Sequence, residues 1–397
     1  MTFFDFDGFM DVPGPAEEPP PADCAGRDVQ AAAQEKGVEQ GAHSQPPRQG
    51  TAPLPSDVWQ GVDQIVFMCG VARSGTTLAV DMLGLHSQLT PLYETYFVTH
   101  LVGLVFHSRL QPQELEAAVL QFMERWTEPL PLRDIPGFKG EHERFHHGPN
   151  YLLFSRDLAM QRTRKFIEEI SGGQPRMPPF ARLVSSLFVD HARQDGKRIV
   201  VNKTPSYTDI LPFLARLYPN LKVIHCVRDG RDVACSVLER PWGPRTMREA
   251  ADWWADRAGL AADWGEANSD RYLEVRYEDL LGRPRRELPR IWDFIGVCDE
   301  TDSVLSFYGG GLPLDSGRAG SWRTLPQRES ACFLDGESGR LLRRFGYVQE
   351  AEAPAATRTD ATMRREASEQ ARVDQDWFLE QLARVRPDDS EGDRSRE

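Results

Sequence analysis

The residues of this chain with the clearest chemical potential are those that could hold an anion. Gly70-Val71-Ala72-Arg73-Ser74-Gly75-Thr76-Thr77 follows the apolar run Ile65-Val66-Phe67-Met68-Cys69. Gly70 and Gly75 have the spacing of a phosphate-binding loop, and Thr77 stands where the Ser/Thr of that loop would be. The lysine of nucleotide triphosphatases is missing: Thr76 takes its place, and the positive charge has moved back to Arg73. The backbone N–H groups of such a turn, with the start of the next helix, form an anion nest. Without that lysine, and with no acidic magnesium ligand after a strand, ATP or GTP hydrolysis is a poor fit. The plainer alternative is a strand–turn–helix carrying a surface Arg.

A second cluster strengthens the anion reading. Asn202-Lys203-Thr204-Pro205 leaves another apolar run, and Lys203 is one of only six lysines among 47 bases. A third run ends in Val227-Arg228-Asp229-Gly230-Arg231-Asp232. A helix over Asp232–Arg240 would put Asp232, Ser236 and Arg240 on one face, so that Arg228, Ser236 and Arg240 converge on a second anion. Each has a plainer reading as a surface Arg or a helix cap, and Asp232 alone reads as an N-cap. Two anion sites at neighbouring strand ends point to a nucleotide phosphorylated at two positions.

These residues need a frame to hold them. The sequence predicts strands over 65–69, 198–201, 222–227 and 272–275, with helices over 76–83, 206–218, 232–240 and 246–266. Residues 96–190 carry helical patches and no strong strand, with a long loop over 129–150. Short buried strands alternating with helices predict an α/β fold, a mostly parallel sheet covered by helices on both faces. Ligands of such sheets bind at the C-terminal ends of the strands, where the anion clusters fall.

Charge and composition narrow the partners. The formal charge is −13, from 60 acids and 47 bases in 397 residues. It is concentrated at the ends: residues 1–60 carry a net −7, residues 349–397 a net −5, and residues 61–348 only −1. Such a balance excludes nucleic-acid binding through a broad positive field and leaves room for a small anion in a local pocket. Residues 1–60 are an acidic, Pro-rich tail expected to be disordered, opening on Phe3, Phe4, Phe6 and Phe9 among acids. Residues 349–397 are polar, with one short amphipathic helix from Asp376. Six cysteines without CxxC spacing suggest neither a disulfide framework nor zinc. No metal site is expected. The acidic start does not resemble a secretory signal, and no apolar run reaches the ~18–20 residues of a membrane span. The expected setting is the cytoplasm.

In this order and spacing, the motifs resemble the sulfotransferases that use 3′-phosphoadenosine 5′-phosphosulfate. Gly70–Thr77 is similar to their 5′-phosphosulfate loop, and Val227–Val233 with Ser236 to their 3′-phosphate signature. Val275-Arg276-Tyr277-Glu278-Asp279-Leu280 and the Gly-rich Ser316–Arg323, ending in Trp322-Arg323, resemble further family segments. The resemblance covers roughly residues 64–348 and implies a P-loop-like sulfotransferase fold over 61–348, with 96–190 on the acceptor side. Within the family, the loop Arg, Asn202–Pro205 and Phe213–Asn220 are most similar to tyrosylprotein sulfotransferases and their bacterial relatives.

The resemblance implies site roles. Glu94, 21 residues after Arg73, takes the position of the catalytic base. Arg73 and Lys203 stabilise the leaving group. Ser74, Gly75, Thr76 and Thr77 hold the 5′-phosphate, and Arg228, Ser236 and Arg240 the 3′-phosphate. Tyr277 and Ser321 are nucleotide contacts, Ser321 standing one residue from the family's late active-site serine when aligned on Trp322. His86, His100, His107, His146 and His147 have no partner motif and read as surface or packing residues. The implied activity is sulfuryl transfer to a hydroxyl; the Arg-over-Lys bias, with neither a signal nor a membrane anchor expected, favours a bacterial metabolite or carrier-bound intermediate as acceptor. The alternatives are a tyrosine peptide as acceptor, a P-loop kinase, or a non-catalytic protein whose acidic termini dock a partner. Homodimerisation stays open. For an acidic peptide, Arg109, Arg125, Arg133 and Lys139 are available, whereas Arg156, Arg162, Arg164 and Lys165 read as a solvated helix face.

Overall fold

A computed structural model describes residues 64–127, 154–172, 175–218, 220–240, 243–307 and 319–348. The acidic tail, the loop over 129–150, the start of the Gly-rich segment and the C-terminal tail with its short helix lie outside the described residues. Five strands form one parallel sheet in the order β2-β3-β1-β4-β5. They are β1 (Gln64–Cys69), β2 (Leu89–Tyr93), β3 (Ile199–Lys203), β4 (Lys222–Val227) and β5 (Tyr272–Arg276). β2 and β3 lie on one side of β1, and β4 and β5 on the other. The chain therefore reverses its lateral direction at β1, which places a crevice at the mouth of the first loop.

Strand alternation divides the core. Ile65 and Phe67 of β1, with Leu92, Val200 and Val223, face one layer. It holds α2 (Phe97–Val102), α3 (Pro112–Trp126), α4 (Arg156–Ser171), α5 (Met177–Gln194) and α6 (Leu211–Leu217). Val66 and Met68, with Val201, Ile224 and Val275, face the other. There α1 (Thr76–Gly84), and later α10 (Pro284–Ile295) and α11 (Thr301–Phe307), cover the sheet. Between them come α7 (Gly230–Val237), α8 (Met247–Glu266) and α9 (Tyr277–Gly282). α7 and α8 join the closing helix α12 (Gly336–Arg344; the single turn Gln327–Ser330 is left unnumbered) around Trp254, Phe333 and Leu341. Among the described residues no helix is long and apolar enough to cross a membrane.

Three elements differ from the sequence expectation. β2 has no counterpart there, because Thr90 and Pro91 interrupt its apolar run. Pro91 is tolerated because β2 pairs only with β3 and is an edge strand. The helix expected over 206–218 is a 3₁₀ segment, Pro205–Ile210, followed by α6; each starts with a proline in its first turn, where the missing N–H costs nothing. The helix expected from Asp232 begins at Gly230 and ends at Val237. A proline at 241 has no N–H to offer the Val237 carbonyl four residues before it, so the regular helix cannot run on from there.

The core also sequesters a titratable group. His225 on β4 is buried, with Nδ1 2.6 Å from the Tyr272 hydroxyl. Burial, with the nearby Arg344 charge, pushes its imidazole down to about 3. The unfolded chain takes up this proton near pH ~6.5 and the folded one does not, so stability falls as pH drops through that window. This group alone contributes up to about 1.4 kcal/mol per pH unit. Denaturant unfolding of His225→Gln between about pH 7 and about pH 5 should show a shallower loss than the parent chain; an unchanged slope would contradict the assignment.

Candidate active site

The anion loop leaves β1 through two close approaches. A Cβ on Gly70 would stand 2.4 Å from the Cys226 carbonyl oxygen, and one on Gly75 2.2 Å from the Tyr277 ring. Gly75 (φ +83°) and Arg73 (φ +75°) are both left-handed. No side chain caps α1, so its first N–H groups are left for a ligand. Beside them the Ser74 hydroxyl is buried with no hydrogen-bond partner among the described residues. An orphaned buried hydroxyl costs about 1–3 kcal/mol, and a phosphate oxygen would satisfy it. Thr76 is buried at the helix start and Thr77 is half-buried. The loop thus fits the phosphate end of a nucleotide.

Next along the sheet, strand register brings the second charge to the loop. Lys203 ends β3 opposite Met68 of β1 and Tyr93 of β2. It is fully buried, and its Nζ bonds Glu94 Oε1. The Glu94 amide donates back to the Lys203 carbonyl at 2.8 Å, and Glu94 adopts a left-handed φ of +49°. A polar network fixes this turn. The Thr95 amide donates to Thr204 Oγ1 at 3.0 Å, and Asn202 Nδ2 to Thr95 Oγ1 at 2.6 Å. The Tyr207 hydroxyl donates to the Thr95 carbonyl at 3.0 Å. Asn202, Thr204 and Tyr207 therefore act as the mount of Glu94, a role that only the Asn-Lys-Thr-Pro run hinted at.

The second anion cluster meets the first directly. Arg73 Nε donates to Ser236 Oγ at 3.0 Å, and Arg228 Nη1 donates to the Arg73 carbonyl at 3.0 Å. The Arg228 guanidinium lies 4.8 Å from the centre of the Tyr277 ring, whose edge also closes on Gly75. Loops after β1, β4 and β5 are thereby stacked into one cationic wall.

A model of the sulfotransferase family matches residues 65–301. The chain belongs to that family. Protein-tyrosine sulfotransferase A of Caenorhabditis elegans is 23% identical over 365 residues, covering 86% of this chain and 82% of that protein. The omega-hydroxy-beta-dihydromenaquinone-9 sulfotransferase of Mycobacterium tuberculosis is 24% identical over 187 residues, covering 43% of this chain and 47% of its own length. A protein of Aquifex aeolicus is 25% identical over 255 residues, or 61% of this chain and 26% of its own length. The chain thus spans about a quarter and about half of the last relative and the mycobacterial one. Among solved structures, the sulfotransferase domain from the curacin biosynthetic pathway covers 73% of this chain and 99% of its own, at 21% identity and a TM-score of 0.44.

In this sulfotransferase chain, several residues stand differently from the sequence expectation. Asp229, rather than Asp232, caps α7 by accepting from the Arg231 amide at 3.0 Å. The Asp232 carboxylate is taken by the late segment: it accepts from Gly320 N at 2.6 Å, Ser321 Oγ at 2.9 Å and Trp322 N at 3.0 Å. Ser321 is thus turned onto Asp232. The Trp322 ring stacks 3.6 Å from the Arg231 guanidinium carbon, so a strap over 320–322 is clamped to α7. Arg240 lies beyond the end of α7, in a turn whose amide returns to Val237, and does not share a helix face with Ser236.

Among the described residues, His86 and His100 are packed and His107 faces solvent. His86 Nδ1 accepts from the Gln88 amide, and its Nε2 donates to the Cys298 carbonyl. His100 stacks on Phe122 at 3.7 Å, with burial pushing it down to about 4. His107 is exposed, and His146 and His147 lie outside the described residues.

The clamp gives a test. Asp232→Ala leaves two backbone N–H groups and a hydroxyl without their acceptor, at a cost of about 1.5–3 kcal/mol. Hydrogen exchange over 319–324 should accelerate in that variant while the β1 amides stay protected. Unchanged exchange over 319–324 would show that the carboxylate does not hold the strap.

Proposed function

We propose that the chain transfers a sulfuryl group from 3′-phosphoadenosine 5′-phosphosulfate to a hydroxyl of a small-molecule or carrier-bound acceptor. One observation carries this reading. Among the described residues, Arg73 and Glu94 are the two non-glycine residues with left-handed φ. Such backbone strain costs about 1–3 kcal/mol per residue and concentrates where function demands a geometry. Both residues sit at C-terminal strand ends, on strands that flank Lys203.

The donor follows from the wall. Ser74, Gly75, Thr76 and Thr77 hold the 5′-phosphate through N–H and hydroxyl groups, while Arg228 and Ser236 hold the 3′-phosphate that distinguishes this donor from ATP. Arg240, in the turn beyond α7, is a further candidate for the 3′-phosphate, the Ser321 hydroxyl is spent on Asp232, and Tyr277 serves by stacking on Arg228. The acceptor oxygen attacks sulfur in line with the bridging oxygen of the nucleotide. A new S–O bond forms, the bond from sulfur to the bridging oxygen breaks, and that electron pair stays on the departing bisphosphate. Arg73 and Lys203 stabilise the charge gathering there without reorganising. Glu94 receives the acceptor's proton.

One feature favours an organic acceptor over an acidic peptide. Tyr96, two residues after Glu94, keeps 41% of its surface exposed and offers an aromatic contact beside the base. The five described cysteines are free thiols, which suits a reducing cytoplasm.

Glu94→Gln should lower the transfer rate about 10²–10⁴-fold while retaining adenosine 3′,5′-bisphosphate binding. Arg73→Ala should lower it about 10²–10³-fold. The check is mass spectrometry of extracts given the donor, following the product heavier by the mass of SO₃. Undiminished transfer in Glu94→Gln would remove that residue as the base. Magnesium-dependent ATP turnover would replace the reading with a kinase.

A further inference from the structure

The chemistry above leaves two side chains beside it unused. Asp81 lies on α1 one turn beyond Thr77, and Tyr93 is the last residue of β2, next to Glu94. The Tyr93 hydroxyl donates to Asp81 Oδ1 at 2.7 Å. The same ring lies under the Lys203 ammonium, with Nζ 5.6 Å from its centre. Glu94, Lys203, Tyr93 and Asp81 therefore form one continuous chain of contacts. It runs from the base turn, through β3 and β2, to the helix that carries the donor loop.

Each contact has a physical consequence for Lys203. An ammonium has three N–H donors and no acceptor, and Glu94 Oε1 takes one of them. A phenol that donates to a carboxylate becomes more electron-rich, and its ring face attracts a cation more strongly. Asp81 is held above the usual carboxylate range by burial, against which the Tyr93 hydrogen bond and the Lys203 charge act in the opposite direction. The field of Lys203 therefore reaches Asp81.

The timing of the reaction gives the pair its use. Once Glu94 has accepted the proton of the acceptor, it is neutral and no longer draws Lys203 by charge. The ammonium is needed at that moment on the bridging oxygen, where the electron pair of the breaking S–O bond collects.

We propose that Asp81 and Tyr93 are positioning residues for Lys203: the phenol, anchored by the α1 carboxylate, holds the ammonium in place as Glu94 is neutralised. Because Asp81 belongs to the donor-loop helix and Tyr93 adjoins Glu94, the same pair sets the spacing between donor cradle and base. This inference rests on the sulfuryl-transfer reading above.

Release of adenosine 3′,5′-bisphosphate from 3′-phosphoadenosine 5′-phosphosulfate, measured with cell extract as the source of acceptor, tests it without knowledge of the acceptor's identity. Asp81→Asn and Tyr93→Phe should each lower kcat about three- to tenfold. The donor KM and the affinity for adenosine 3′,5′-bisphosphate should stay within about twofold of the parent values. In a Lys203→Ala background, neither substitution should lower kcat further, which a merely structural role would not reproduce. Tyr93→Phe keeps the ring and the strand end, so it carries the test if Asp81→Asn folds poorly. Parent-like kcat in both variants, or effects that add to Lys203→Ala, would overturn the inference. No bisphosphate release by the parent chain in extracts that contain the acceptor, together with no binding of the bisphosphate, would overturn the sulfuryl-transfer reading itself.

Discussion

A buried ammonium needs a partner, and in this fold the partner determines what surrounds it. Lys203 has no exposed surface, and its Nζ bonds Glu94 across the ends of β3 and β2. Removing one member of such a pair leaves an uncompensated charge at a cost of about 3–5 kcal/mol, so the two strands must keep register at their C-terminal ends. The amide and the carboxylate of Glu94 both return to Lys203, which a strand continuing straight would not allow. The left-handed backbone at Glu94 accompanies that reversal. Because β3 also pairs with β1, the same register sets Lys203 beside the anion loop.

The donor side is built by close approach rather than by burial of charge alone. Tyr277 occupies the space that any side chain at position 75 would need, and its face receives Arg228. Arg228 in turn holds the Arg73 carbonyl, and Arg73 holds Ser236. Three loops from three strands are thus interlocked before any ligand arrives, which is the preorganisation that charge stabilisation requires. Asp229 caps its own helix, which frees Asp232 to fasten the strap that follows much later in the chain. The strap and the cationic wall therefore share α7 as a common support.

Much of this was legible in the sequence, for identifiable reasons. Strands β1, β3 and β4 are continuous apolar runs, and Gly70 and Gly75 announce a turn that needs close approach. Arg73, Lys203 and Arg228 stand immediately after such runs, so their place at strand ends followed from the fold class. β2 was not legible because an edge strand tolerates Pro91, which in isolation reads as a breaker. Asp232 was misread for a related reason: two acids flank the start of α7, and local chemistry cannot say which one caps it. The partners of Asp232 lie near residue 320, and sequence separation hides such contacts. The same holds for the Asp81–Tyr93 pair, whose members are ordinary residues of a helix and a strand until the sheet brings them together.

The central claim is that the interlocked wall accepts a nucleotide carrying phosphate at both its 3′ and 5′ positions. Titration calorimetry with adenosine 3′,5′-bisphosphate, adenosine 5′-phosphate and ATP tests this most directly, with and without magnesium. The expected result is magnesium-independent binding of the bisphosphate, weaker by about tenfold or more when the 3′-phosphate is absent or Arg228 is replaced by Ala. Equal affinity for adenosine 5′-phosphate, or tighter magnesium-dependent binding of ATP, would contradict the claim.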